Sequence, residues 1–136
     1  VAVPAVLPHL DAVQAALATA GLTVYLGGAP TSAGWTPPDK YAVLYADSGT
    51  AVRESLGDRR DHFEALVQVT CVGASVDRAL WVADRVRLAL ALPLAVAGRA
   101  SWRPEELGGP PVQRDDDVTP PLWFLPVQYR LQSIPA

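Results

Sequence analysis

Nucleophilic catalysis needs a base beside its nucleophile, and the residues of this chain do not pair that way. Cys71 is the only cysteine. Phe63, Ala65, Val67, Val69 and Cys71 alternate with His62, Glu64, Gln68 and Thr70, which sets the thiol on the inward face of a strand and His62 on the other. The thiol therefore reads as a small core residue. No Gly-x-Ser-x-Gly elbow is present. His9 and His62 fall on different elements without paired-ligand spacing. Asp115-Asp116-Asp117 is the sharpest carboxylate cluster, and a hard cation takes several such oxygens. Neighbours in extended chain point to alternate faces, and the rest of a calcium loop is missing, so the run reads as a solvated turn. Gly27-Gly28 and Gly108-Gly109 lack the lysine and helix start of a phosphate cradle. The sequence supports no enzyme, and it asks for no metal and no cofactor.

The remaining properties bound the kind of protein. A chain of 136 residues fits one domain, residues 1–136, and half of it is hydrophobic, enough to build a core. Eleven Lys+Arg against 14 Asp+Glu leave a net charge of −3, which argues against a broad grip on nucleic acid. A single cysteine excludes an internal disulfide. The apolar start lacks a basic n-region, and Gly and Pro break the uncharged stretch from Ala12 to Pro38, so a soluble intracellular protein is expected. Lys40 is the only lysine beside many arginines, the mark of a GC-rich coding genome.

Periodicity supplies the elements. Leu10, Val13, Leu17 and Ala20, with Ala16, predict a helix closed by Gly21, with His9, Asp11, Gln14 and Thr19 off its apolar stripe. Leu22–Leu26 and Tyr41–Asp47 read as strands separated by a Gly/Pro-rich loop. A mixed-charge segment, Arg53–Asp61, reads as a hairpin tip or a reaching arm, and the strand through Phe63–Cys71 follows it. Ser75 is the expected N-cap of a second helix whose stripe is Val76, Ala79, Leu80, Ala83, Val86 and Leu90. Strands are expected around Leu94–Trp102, Pro111–Val118 and Leu122–Ser133, the last with an edge position or a bulge because of Pro120, Pro121 and Pro126. The order predicts an α+β fold, a mostly antiparallel sheet with two main helices packed on one side.

Surfaces for partners stand out more than chemistry does. Trp81 and Leu88 lie one heptad apart on the side of the second helix that carries Asp77, Asp84 and Arg85, the composition of an interface with a polar rim. The alternative is cover from the same chain, for which the Trp35 loop is the candidate. Leu66, Val72, Leu122 and Phe124 form a second apolar set on the nominally wet sheet face. Either the sheet is covered on both sides, or a neighbouring subunit packs there.

Taken together, Leu10–Leu17, the strand Phe63–Cys71 leading into Ala79–Arg85, and the closing run Val112–Val118 followed by Leu122–Arg130 resemble the tail terminator (tail completion) proteins of long-tailed bacteriophages, especially those of actinobacteria. The resemblance spans nearly the whole chain. It implies a six-fold ring on the last ring of the tail tube that ends tube polymerisation and offers the surface on which the filled head docks. DNA would only pass through the lumen, which a mildly acidic protein suits. The implied partners are copies of the chain, the tail tube protein and a head–tail connector or stopper, with no membrane. The implied location is the tail–neck junction of the virion, assembled in the host cytoplasm. On this reading Trp81, Leu88 and Arg85 make subunit contacts. Arg53, Glu54, Arg59 and Arg60 reach a neighbour or the tube, and Asp115, Asp116 and Asp117 line the lumen or rim. The rival readings are another neck component and, from a different class, a ligand-binding or enzymatic domain with a pocket near Trp35, Tyr41 and Asp115.

Overall fold

Two long strands, β4 (His62–Gly73) and β8 (Leu122–Pro135), pair antiparallel along their length, Phe63 opposite Ser133 and Gly73 opposite Trp123. The computed structural model that shows this describes residues 4–52 and 61–136. Arg53, Glu54, Arg59 and Arg60 therefore lie outside the described residues. β2 (Lys40–Ala46) and β3 (Thr50–Val52) follow one another along the free side of β4, both antiparallel to it, and β1 (Val24–Leu26) adds a parallel edge to β2. Where β2 hands over to β3, Asp47 Oδ1 accepts from the amides of Gly49 at 2.9 Å and Leu66 at 3.1 Å, so one carboxylate closes the turn and fills the gap in the ladder.

The other side of β8 carries three short strands in succession: β5 (Arg99–Ser101), β6 (Glu105–Gly108) and β7 (Gln113–Asp115). β8 is thus interior, contrary to the edge position expected from its prolines. Pro126 carries no bulge either: its register with β4 is unbroken, Thr70 opposite Pro126, and the register shift beside it lies on β6 between Glu106 and Gly108. Gln128 pairs with Gly108 and Phe124 with Gln113, so Pro126, which has no N–H, falls in the interval between β6 and β7.

α1 (Val6–Thr19) and α2 (Val76–Ala89) cover one face of this sheet. The core between them joins Val13 and Leu17 of α1, Ala79, Val82, Ala83 and Val86 of α2, and the inward residues of β4 and β8 from Phe63 to Cys71 and Leu125 to Leu131. The alternation read from β4 holds at every inward position. Burial also pushes the Cys71 thiol up to about 12, as a core residue requires. Ser75 caps α2, its Oγ accepting from the Arg78 amide at 3.3 Å.

The stripe expected on α2 needs correction. Val82 is fully buried, while Val76 and Leu80 are 37% and 44% exposed. The start of α2 runs so close to β4 that the Arg78 carbonyl carbon would stand 2.7 Å from a Cβ at Gly73. The buried side of α2 is built of Ala79, Val82, Ala83 and Val86, with alanine at the closest approach, and the larger Leu80 turns outward. On α1 the missed core member is His9, 2% exposed in line with Val13 and Leu17, whereas Leu10 and Ala16 only flank the core.

Candidate functional site

α2 presents Trp81, Arg85 and Leu88 outward, as their spacing implies, with Trp81 37% and Leu88 62% exposed. The cover over Trp81 comes from the sheet. Lys40, the first residue of β2, places its Nζ 4.1 Å from the indole centroid, and the Arg85 Cζ lies 5.0 Å from it. Arg78 pairs with Asp39 at 3.4 Å beside them. Among the described residues neither Lys40 nor Arg85 has an ion-pair partner, so the patch shows an aromatic ring bracketed by two uncompensated cations. The sequence marked Trp81 and Arg85 but not Lys40, whose contact depends on how β2 meets α2.

The Trp35 loop does something else. Trp35 makes edge-on contacts with Tyr25 (5.8 Å) and Tyr41 (6.0 Å) on the opposite sheet face. There Tyr41, Val43 and Val72 are buried, with Leu122 and Phe124 packed against them. Intrachain cover thus accounts for most of the second apolar set, and Leu66 alone of it stays exposed, at 40%. Burial raises the Tyr41 phenol above its ordinary value, with smaller contributions from Tyr25, Asp115 and Tyr45.

Asp115 ends β7, and its Oδ1 accepts from the Asp117 amide at 3.0 Å, a local turn. Asp116 pairs with Arg114 at 2.6 Å. Asp117 has no counter-charge among the described residues, and no group of three or more His, Cys, Asp or Glu there is disposed to hold a metal. Arg87, next to the Trp81 patch, is occupied: its guanidinium grips Glu106 of β6 at 2.9 and 3.0 Å and Asp84 at 2.9 Å. That grip raises the Arg87 pKa and lowers that of Glu106. Arg87 ties α2 to the sheet and leaves Trp81, Arg85 and Leu88 as the open part of the helix.

One polar cluster was not foreseen. His9 Nδ1 lies 2.7 Å from the Ala5 carbonyl at the edge of the core and Nε2 2.7 Å from Ser133 Oγ inside it, with the ring stacked 4.4 Å from Phe63. Ser133 Oγ in turn accepts from Arg99 Nε at 3.1 Å, and Arg99 Nη2 donates to the carbonyls of Asp61 (2.6 Å) and Ser133 (2.9 Å). Among the described residues no carboxylate is hydrogen-bonded to the histidine, and the cluster fastens α1 to β8 and β5.

These elements define an α+β protein with its helices on one face of a mostly antiparallel sheet. The fold is similar to that of a chain in the virion of a native gene transfer agent particle, over 91% of this chain and 92% of that one, with a TM-score of 0.61 and 15% identity. A second solved chain is similar over 91% and 94%, with a TM-score of 0.51 and 20% identity. At these identities the likeness is one of fold. No family model and no curated protein matches the sequence. No helix among the described residues is long and apolar enough to cross a membrane.

Proposed function

We propose that the chain is a structural protein of a phage-like particle, and that within it the chain is the tail terminator: a ring, six-fold on the resemblance, that caps the tail tube and receives the head. One observation carries the reading, the end-to-end likeness of fold to a chain of a gene transfer agent virion. The surface supports it. The Trp81 face of α2 carries exposed apolar and charged groups and no catalytic constellation, which is what a subunit of an assembly needs. The partners are then other copies, the tail tube protein and a connector or stopper on the head side, at the tail–neck junction, with DNA passing through the lumen.

Mixing the purified chain with tail-tube subunits tests this. Electron microscopy is expected to show rings on one end of each tube and a tube length that stops growing. Tubes of unchanged length without caps would overturn the terminator reading, and binding only to the head-side proteins would favour a connector or stopper instead. Trp81→Asp is expected to abolish rings and capping while the circular dichroism spectrum stays that of the parent, because the side chain is outside the core. Rings that survive this change would remove the α2 face from the interface.

A further inference from the structure

We propose, resting on the ring reading above, that the Trp81 patch of one subunit docks on the Asp115–Asp117 turn of the next. The two surfaces carry opposite excesses of charge, with Lys40 and Arg85 outnumbering the one carboxylate on the Trp81 side of α2 that has no ion pair among the described residues, Asp77. Lys40 and Arg85 bracket Trp81 without an acidic partner among the described residues. The turn holds three carboxylates against one cation, Arg114, which is engaged with Asp116. Each side also offers apolar surface, Leu88 beside the cations and Val118 beside the carboxylates.

The sheet places the two patches where a ring needs them. One row of paired residues crosses it from Lys40 on β2 through Gly73 on β4 and Trp123 on β8 to Arg114 on β7. At the usual strand spacing the row spans about 14 Å, so the cationic and acidic patches share one end of the molecule and sit toward opposite edges. The β1 ladder pairs with Ala42–Leu44 and stops short of Lys40. A two-fold contact of the Trp81 patch with itself would bring two copies of Lys40 and Arg85 together with only Asp77 to offset them. Contact with the acidic turn of a neighbour removes that repulsion and leaves each subunit with one of each patch to offer, the condition for head-to-tail closure.

Charge exchange between the two sides tests the pairing. Variant one carries Lys40→Glu and Arg85→Glu, and variant two carries Asp116→Lys and Asp117→Lys. Each alone is expected to raise the protein concentration needed for half-assembly about tenfold or more, read by sedimentation velocity, because like charges then face each other. Mixed in equal amounts they are expected to assemble again, as alternating rings in which every contact joins opposite charges. That rescue also shows both variants to be folded. Assembly of either variant alone as well as the parent, or a mixture that stays dissociated, would overturn the pairing while the ring reading stands. A parent chain that stays monomeric at high concentration and on tail tubes would overturn both.

Discussion

Replacing His9 with alanine is expected to destabilise the protein by about 3 kcal/mol and to lower its melting temperature by about 10 °C. The Ala5 carbonyl can only accept, so Nδ1 carries the ring proton and Nε2 accepts from the Ser133 hydroxyl, whose oxygen takes the Arg99 Nε–H. Truncation empties the space beside Phe63 and takes from the buried Ser133 hydroxyl the acceptor of its proton, leaving only the bond it accepts from Arg99. The same arrangement fixes the sign of a pH effect. Burial drives the His9 pKa below the ordinary histidine value of 6.5, the Ala5 hydrogen bond offsets part of that, and the Arg99 charge adds to the lowering. Below pH 6.5 the unfolded chain therefore takes up a proton that the native state resists. The histidine's contribution is complete above that pH and is lost as the pH falls through the lower, native value. Melting curves between pH 8 and pH 5, with the alanine variant as reference, check both statements. A variant that melts with the parent at pH 8 would show the cluster to be dispensable.

His9 also shows where the sequence was legible and where it was misread. It stands at i, i+4 and i+8 with Val13 and Leu17, the spacing of one helix face, so position alone identifies it as inward. Residue type pointed the other way, because a histidine is placed in a core only once its partners are known, and Ser133 and Arg99 come from the far end of the chain. β4 was legible for the opposite reason: its period of two runs through nine residues with one dry face, and no partner is needed to read it. β3 and β6 are too short to establish any period. At the surface, Trp81, Arg85 and Leu88 follow from helical spacing, whereas Lys40 reaches Trp81 only because β2 begins beside α2. The order of elements sufficed to give the fold class, since antiparallel neighbours joined by short turns leave few arrangements.

Replacing Gly73 with valine is expected to cost about 3 kcal/mol or more and, on the proposed ring, to abolish assembly without touching an exposed residue. Gly73 ends β4 just where the chain turns into α2, and a Cβ there would lie 2.7 Å from the Arg78 carbonyl carbon and 2.8 Å from the Arg78 Cβ, with the Ala79 amide nitrogen nearer still. Most of those atoms are backbone, so no side chain can swing aside, and the first turn of α2 must lift from the sheet. Lys40 lies directly opposite Gly73 on β2, so lifting α2 separates Trp81 from the cation that covers it. The loss of stability and the loss of ring contacts then arise from one displacement. Gly21→Ala is the control, since its site is open and only its φ of +87° resists a side chain, which costs about 1 kcal/mol. Its rings are expected to survive. Thermal melts and sedimentation of both variants decide the matter: a Gly73→Val protein that melts and assembles like the parent would mean that the close contact between β4 and α2 sets neither the stability of the fold nor the placing of Trp81.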